Sequence, residues 1–409
     1  MAIVNAASAS YADVNTAVGS ANAGDTVRVP AGSATWSSLL AVTKGLTFEA
    51  SGTVTITANN GANFIIEYNP TTPANDVLFR ITGFTFNLGG ANNLLHLVEA
   101  TTTEQYNIRF DHNTVTNAAY GLAIIFHEGA FWGVVDHNTF TGDPYFQNYG
   151  APAGDINWEE LVFTPGSRDS MYFEDNTIET TTDGTFFSTG NGGRFVFRYN
   201  HATIVAGGAS SGLYPFLDAH GNMGPGGNYG TMGAEIYGNI VDGDGTGLDV
   251  DFFDHRGGKG RVFNNRVIGA GTEGSMQYRE EHPDTENPPA NNSIDGTPQH
   301  INDTYYWQNR YGSDTAWTYT LSDNSSTTPL TVDVDVFIHT ASFDGTSGVG
   351  VGTLAAMNAI TPTTTGVGFW VTNDSATTLP TTLAELKALS GTLYRWNGSA
   401  WASYYTPYT

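Results

Sequence analysis

Seven short stretches decide how this chain folds: Phe110-Asp-His-Asn113, Val135-Asp-His-Asn138, Phe173-Glu-Asp-Asn176, Phe197-Arg-Tyr-Asn200, Ile236-Tyr-Gly-Asn239, Val262-Phe-Asn-Asn265 and Tyr306-Trp-Gln-Asn309. In each, an apolar residue stands three positions before an Asn. The Asn residues are separated by 25, 38, 24, 39, 26 and 44 positions. The short intervals cluster near one value, and the long ones fit the same unit carrying an inserted loop. Short alternating runs that end in Asn or Gly are strands. A unit of this size cannot bury its own apolar face, so it must stack on copies of itself. Parallel strands lie about 4.8 Å apart. Asn residues in register therefore form a ladder, each side-chain amide bonding the neighbouring turn and tolerating a left-handed backbone. The expectation is an all-β chain wound as a right-handed parallel β-helix over residues 37–314. In a β-sandwich these would be ordinary turn residues, with no reason for the apolar–Asn register to persist.

Composition agrees. The 409 residues hold 15 Lys and Arg against 40 Asp and Glu, a net charge of −25. Such a surface repels nucleic acid and anionic membranes, so neither is an expected partner. Aromatic residues at 12% argue against disorder, and 49 Gly among many Thr and Val favour strands and tight turns. With no Cys there are neither disulfides nor thiolate zinc sites. No apolar run approaches ~18 residues, so no membrane insertion is expected. Met1-Ala-Ile-Val-Asn5 is no leader, which suggests either a trimmed signal or export without one, as for a virion protein.

Residues 1–36 read as a cap and first strand. Tyr11–Val18 has apolar residues at helical spacing, suited to closing the end of a stack. Gly24-Asp-Thr-Val-Arg-Val-Pro-Ala-Gly32 then turns into an alternating strand. With this opening, residues 8–315 resemble the pectate-lyase-like right-handed parallel β-helix superfamily, which includes polysaccharide lyases, galacturonases, phage tailspikes and adhesins. The resemblance implies a glycan-binding face, an extracellular, cell-surface or virion location and, from tailspikes, a homotrimer. No intact pectate-lyase or galacturonase motif is present, so it transfers no catalytic residue. Residues 315–409 read as a small β-rich C-terminal module with one helical segment, Leu383–Leu389, serving as end cap, oligomerisation element or glycan contact.

Chemistry is expected on the strand upstream of each Asn strand. Aligning apolar pairs gives Leu97-Val-Glu99, Ile125-Phe-His127, Val162-Phe-Thr164, Phe186-Phe-Ser188, Phe216-Leu-Asp218, Phe252-Phe-Asp254 and Gln277-Tyr-Arg279. The third residue and the one two further on share a face. That face carries Asp218 and His220, Asp254 and Arg256, then Arg279 and Glu281. Lys259 and Arg261 fall close by in sequence, a cationic cluster in an acidic chain. Two reactions suit these residues. In β-elimination, Arg256 or Arg279, or a Ca²⁺ held by Asp218, Asp254 and Glu281, neutralises a uronate, with Lys259, Arg279 or His220 as base. In hydrolysis, Asp218 with Asp254, or Asp254 with Glu281, are the paired carboxylates. Trp132, Tyr214, Tyr229 and Arg261 are the candidate sugar contacts. The Asp-His pairs at 111–112 and 136–137 belong to the repeat, and His255 and Glu280 fall on the inward parity. The expected function is polysaccharide binding with lyase or hydrolase cleavage. The alternatives are a noncatalytic adhesin, tail-fibre or structural surface protein whose charged residues form only a salt-bridge ladder.

Overall fold

The computed structural model describes residues 1–70, 77–98, 106–119, 122–128, 131–149, 163–180, 185–205, 215–221, 230–243, 249–269, 273–279, 293–294, 297–298, 301–321, 330–372 and 378–409. The Asn ladder is present. Asn113 N donates to Asn138 Oδ1 at 2.9 Å, Asn138 N to Asn176 Oδ1 at 3.0 Å, and Asn176 N to Asn200 Oδ1 at 3.1 Å. The series continues through Asn239, Asn265 and Asn309. Each Nδ2 also donates to a carbonyl of the preceding pass, as Asn138 does to Phe110 O at 2.9 Å. All seven side chains are buried, so every rung satisfies backbone groups that water cannot reach.

The left-handed residue is not the Asn but the one before it. His112, His137, Asp175, Tyr199, Asn264 and Gln308 have φ between 51° and 59°. Gly238 takes this place in one pass, where a Cβ would meet the Tyr199 ring at 2.7 Å.

Two long sheets carry the chain. In the smaller, Ala123–Glu128, Tyr145–Tyr149, Phe187–Gly190, Leu217–Ala219, Asp249–His255 and Glu273–Tyr278 pair in parallel, each with the next named. In the larger, Phe131–Asp136, Met171–Glu174, Arg194–Arg198, Gly233–Tyr237, Lys259–Phe263 and Thr304–Trp307 do the same. Each pass thus returns to lie beside its predecessor, a topology compatible with a parallel β-helix. The space between the sheets is filled by aromatic side chains, with Phe173 against Phe187 at 4.7 Å and Phe186 stacked on Phe216 at 5.3 Å.

The N-terminal helix spans Tyr11–Ser20, capped by the Ser10 side chain accepting from Asp13 N, and buries Val14, Ala17 and Val18. The parallel pairing extends past residue 314, to Thr318–Leu321 and Val336–Ile338. Beyond it, Val349–Gly352, Gly368–Thr372, Gly391–Trp396 and Trp401–Tyr405 form a four-stranded sheet. This C-terminal module packs Trp370, Leu393 and Tyr405 on the outer side of the larger sheet, over Tyr237, Phe263, Tyr305 and Trp307. Among the described residues no helix is long and apolar enough to cross a membrane.

Candidate functional site

The smaller sheet places Ser188 beside Asp218, Asp218 beside Asp254, and Asp254 beside Gln277. Five residues expected from the sequence come together there: Asp218, His220, Asp254, Arg256 and Arg279. Arg256 is the hub. Its Nε and Nη2 reach the two Asp218 oxygens at 2.9 and 2.5 Å, and its Nη2 lies 2.6 Å from His220 Nδ1. The same Nε is 3.4 Å from Asp254 Oδ2, to which Arg279 Nη2 donates at 2.9 Å.

A sixth group was not legible in the pattern. Asp251 lies opposite Ser275, but the next aligned pair is Phe253 with Met276. Phe252 is therefore one residue too many on its strand, a β-bulge. The bulge lets Phe252 and Phe253 both enter the core, fully buried. It also restores the parity of Asp251 and Asp254, three positions apart, so that both share the face of Ser275 and Gln277. Gln277 Nε2 donates to Asp251 Oδ2 at 2.9 Å.

Burial decides the electrostatics. Asp218, Asp251, Asp254 and Arg256 are between 3% and 8% exposed. A buried carboxylate without enough partners favours its neutral form. Burial, reinforced by the charges of Asp254 and Asp218, pushes the Asp251 carboxyl up to about 7. Burial also raises Asp254, against the pull of Arg256 and Arg279. With Asp251 protonated, two carboxylates face two guanidiniums. Among the described residues, Asp251 Oδ1, Asp254 Oδ1 and Arg279 Nε have no hydrogen-bond partner. The arrangement holds a proton donor, a second carboxyl and a half-exposed cation on one wall.

Other expectations are corrected by the sheet register. Arg279 is level with Arg256 rather than Asp254, its N–H donating to His255 O at 3.0 Å. The row expected to include Thr164 runs through Gln147, opposite Ser188. In the first passes it runs through Glu67 and His96, 3.3 Å apart, with Leu97 rather than Glu99 beside His127. Lys259 is not on this wall: it opens a strand of the larger sheet, opposite Gly233. Arg261, expected as a sugar contact, belongs to the same strand and lies away from the wall. It is buried, bound to Asp303 Oδ2 at 3.0 Å and stacked 4.9 Å over Tyr305. Trp132 is half-buried on the larger sheet under Arg194, 5.8 Å from its ring centre, and so is also away from the wall. Nearness in sequence groups Lys259 and Arg261 with the wall but does not carry across the corner between sheets, whereas Trp132, expected as an exposed aromatic, is half-buried. Tyr214, Tyr229, Glu280 and Glu281 lie outside the described residues.

His255 points inward as expected. Its Nδ1 is 2.7 Å from Tyr306 OH and its Nε2 is 3.0 Å from Gly257 O, and burial lowers it to about 4, leaving it neutral. His112 and His137 occupy the left-handed repeat position, each bound to its preceding Asp. Among the described residues no group of three or more His, Asp or Glu has the arrangement to hold a metal ion. No family model, curated protein or solved structure matches this chain.

Proposed function

We propose that the chain is a right-handed parallel β-helix of the pectate-lyase-like kind that binds an acidic polysaccharide on the Asp218–Arg279 wall and hydrolyses it. Asp251 carries this reading: a carboxyl that keeps its proton up to about pH 7, beside a second carboxyl, is the environment of a general acid. Asp251 protonates the glycosidic oxygen, Asp254 serves as the second carboxylate, and Arg279 holds the carboxylate of a uronate. Arg256, bound on two sides to Asp218, positions the wall rather than touching substrate. The location that suits such a protein is extracellular, at a cell surface or on a virion, with a homotrimer as its assembly.

Two observations support rivals. Arg279 donates to Asp254, so it is also placed to neutralise a uronate during β-elimination. Asp218 is held by both Nε and Nη2 of Arg256, as a salt-bridge ladder of a noncatalytic adhesin or structural protein would have it. Purified protein offered a panel of acidic and neutral polysaccharides separates the three. Hydrolysis releases reducing ends without ultraviolet absorbance, elimination releases an absorbing unsaturated uronate, and an adhesin binds with neither. EDTA distinguishes guanidinium neutralisation, which survives it, from a Ca²⁺ held by Asp218, Asp254 and Glu281. Full activity in Asp254→Ala and Arg279→Ala would remove the wall from the reaction.

A further inference from the structure

All 15 Lys and Arg of the chain lie within the described residues, so the cations open to a ligand on the smaller-sheet wall can be followed one by one. The strands of that sheet contain no Lys or Arg. Arg256 and Arg279, which directly follow the strands Asp249–His255 and Glu273–Tyr278, are the two cations on the wall among the described residues. Arg256 is committed: it is 8% exposed, and Asp218 takes its Nε and Nη2. Arg279 is not. Its side chain is 38% exposed, its Nη2 donates to Asp254, and its Nε has no partner among the described residues.

The flanking positions of the same row are neutral. Gln147 and Ser188 precede Asp218, and Thr320 lies beside Gln277 at the other end. Their amides and hydroxyls can pair with sugar hydroxyls but supply no counter-charge. The two guanidiniums already face the carboxyls of Asp218, Asp251 and Asp254, in a chain of net charge −25. One incoming carboxylate can be met at Arg279 by charge-assisted hydrogen bonds. A homouronan carries a carboxylate on every ring, and the second and third would find no cation. Screening at physiological salt acts over about 8 Å, so the wall feels several carboxylates of such a polymer together.

We infer that the polymer on this wall, granted its reading as a polysaccharide site, is a heteropolysaccharide whose uronates are separated by neutral sugars, one uronate being held by Arg279. The test is calorimetric titration of the full chain with hyaluronan and gellan, whose uronates are spaced by neutral sugars, with polygalacturonate and alginate, whose rings are all uronates, and with carboxyl-reduced hyaluronan and gellan. Hyaluronan or gellan should bind about tenfold or more tighter than either homouronan. Carboxyl reduction of the tighter one should weaken it about tenfold. Added salt should weaken the spaced polymer and strengthen any residual binding of a homouronan, because screening removes repulsion in the second case. Arg279→Gln should bring the native polymer down to the affinity of its carboxyl-reduced form and leave the reduced form unchanged, whereas a merely structural loss would weaken both alike. The inference is overturned if a homouronan binds as tightly as the better spaced polymer, if carboxyl reduction changes nothing, if Arg279→Gln weakens both forms alike, or if neither hyaluronan nor gellan binds. Binding is read rather than product. Binding as expected without cleavage therefore removes the hydrolase reading alone, and a homouronan that is both bound best and hydrolysed removes this inference alone.

Discussion

The two sheets turn very different outer faces to their surroundings, although one winding builds both. On the larger sheet the row Tyr237, Phe263, Trp307 is aromatic and covered by the C-terminal module, with Phe263 and Trp307 stacked at 4.2 Å. The buried cation there, Arg261, has a carboxylate, backbone carbonyls and aromatic faces as partners. On the smaller sheet Asp218 and Asp254 are buried and Gln277 is half-buried, yet among the described residues Asp251 and Asp254 each keep an oxygen without a partner. Both faces keep buried polar atoms without a partner among the described residues, Arg261 Nε and Trp307 Nε1 on the first and Asp251 Oδ1 and Asp254 Oδ1 on the second. The second differs in that its unbonded atoms belong to neighbouring carboxyls that repel one another, the kind of perturbed group found at functional sites.

The sharpest way to break the contrast is Asp251→Asn, which keeps shape and removes the acid. Loss of a general acid should lower turnover about 10²–10⁴-fold, read as kcat on whichever polysaccharide the screen identifies. The same variant tests the strain. A carboxyl raised from 3.8 to about 7 contributes stability that is full below the unfolded value and is lost as pH rises through about 7. The parent should therefore melt lower at pH 8 than at pH 5 by more than the variant does. At pH 8 the variant should be the more stable by a few kcal/mol, at about 1.4 kcal/mol per pKa unit. Equal pH profiles would mean that Asp251 is not strained.

The packed face should respond in the opposite way. Trp307→Ala removes a fully buried ring between Phe263 and Trp370 and should cost about 3–5 kcal/mol in denaturant unfolding. No gain is expected at any pH. Asn200→Ala weakens the ladder that both faces share. It leaves Asn176 N and Phe173 O unpaired and should cost roughly 2–4 kcal/mol without moving the pH dependence of activity. Smallest of all is Lys259→Ala. Its strand lies in the larger sheet, so cleavage and binding at the wall should be unchanged, and stability should shift by no more than about 0.5 kcal/mol. A large loss of activity there would merge the two faces into one site.

How far the sequence reached differs from element to element. The ladder was readable because each rung is local: apolar residue, two turn residues, Asn. Its hydrogen bonds then follow from stacking alone. Asp218, His220, Asp254 and Arg256 were placed on one face because strict alternation holds from Leu217 to Ala219 and from Phe253 to His255. Asp251 was not, because alternation fails at Phe252. The adjacent pair Phe252-Phe253 was the available signal, since two large aromatic residues in succession cannot both enter a core on a regular strand. Arg279 was placed on the right wall at the wrong level, because Gln277-Tyr278 was matched to Phe252-Phe253 whereas Phe253 pairs with Met276, a slip of two residues that preserves parity.

From its own chemistry, then, this chain dictates repetition: a recurring Asn that must find a partner in the next pass, and apolar residues that no single pass can bury. Those are properties of short segments, set by local backbone preference and by the cost of unbonded amides in a dry interior. Which charges meet was decided only when the strands paired. Whether a side chain faces the core or the wall depends on the count of residues between two hydrogen-bonded neighbours, and one inserted Phe changes that count. The raised pKa of Asp251 and the separation of Lys259 and Arg261 from the wall both follow from that pairing.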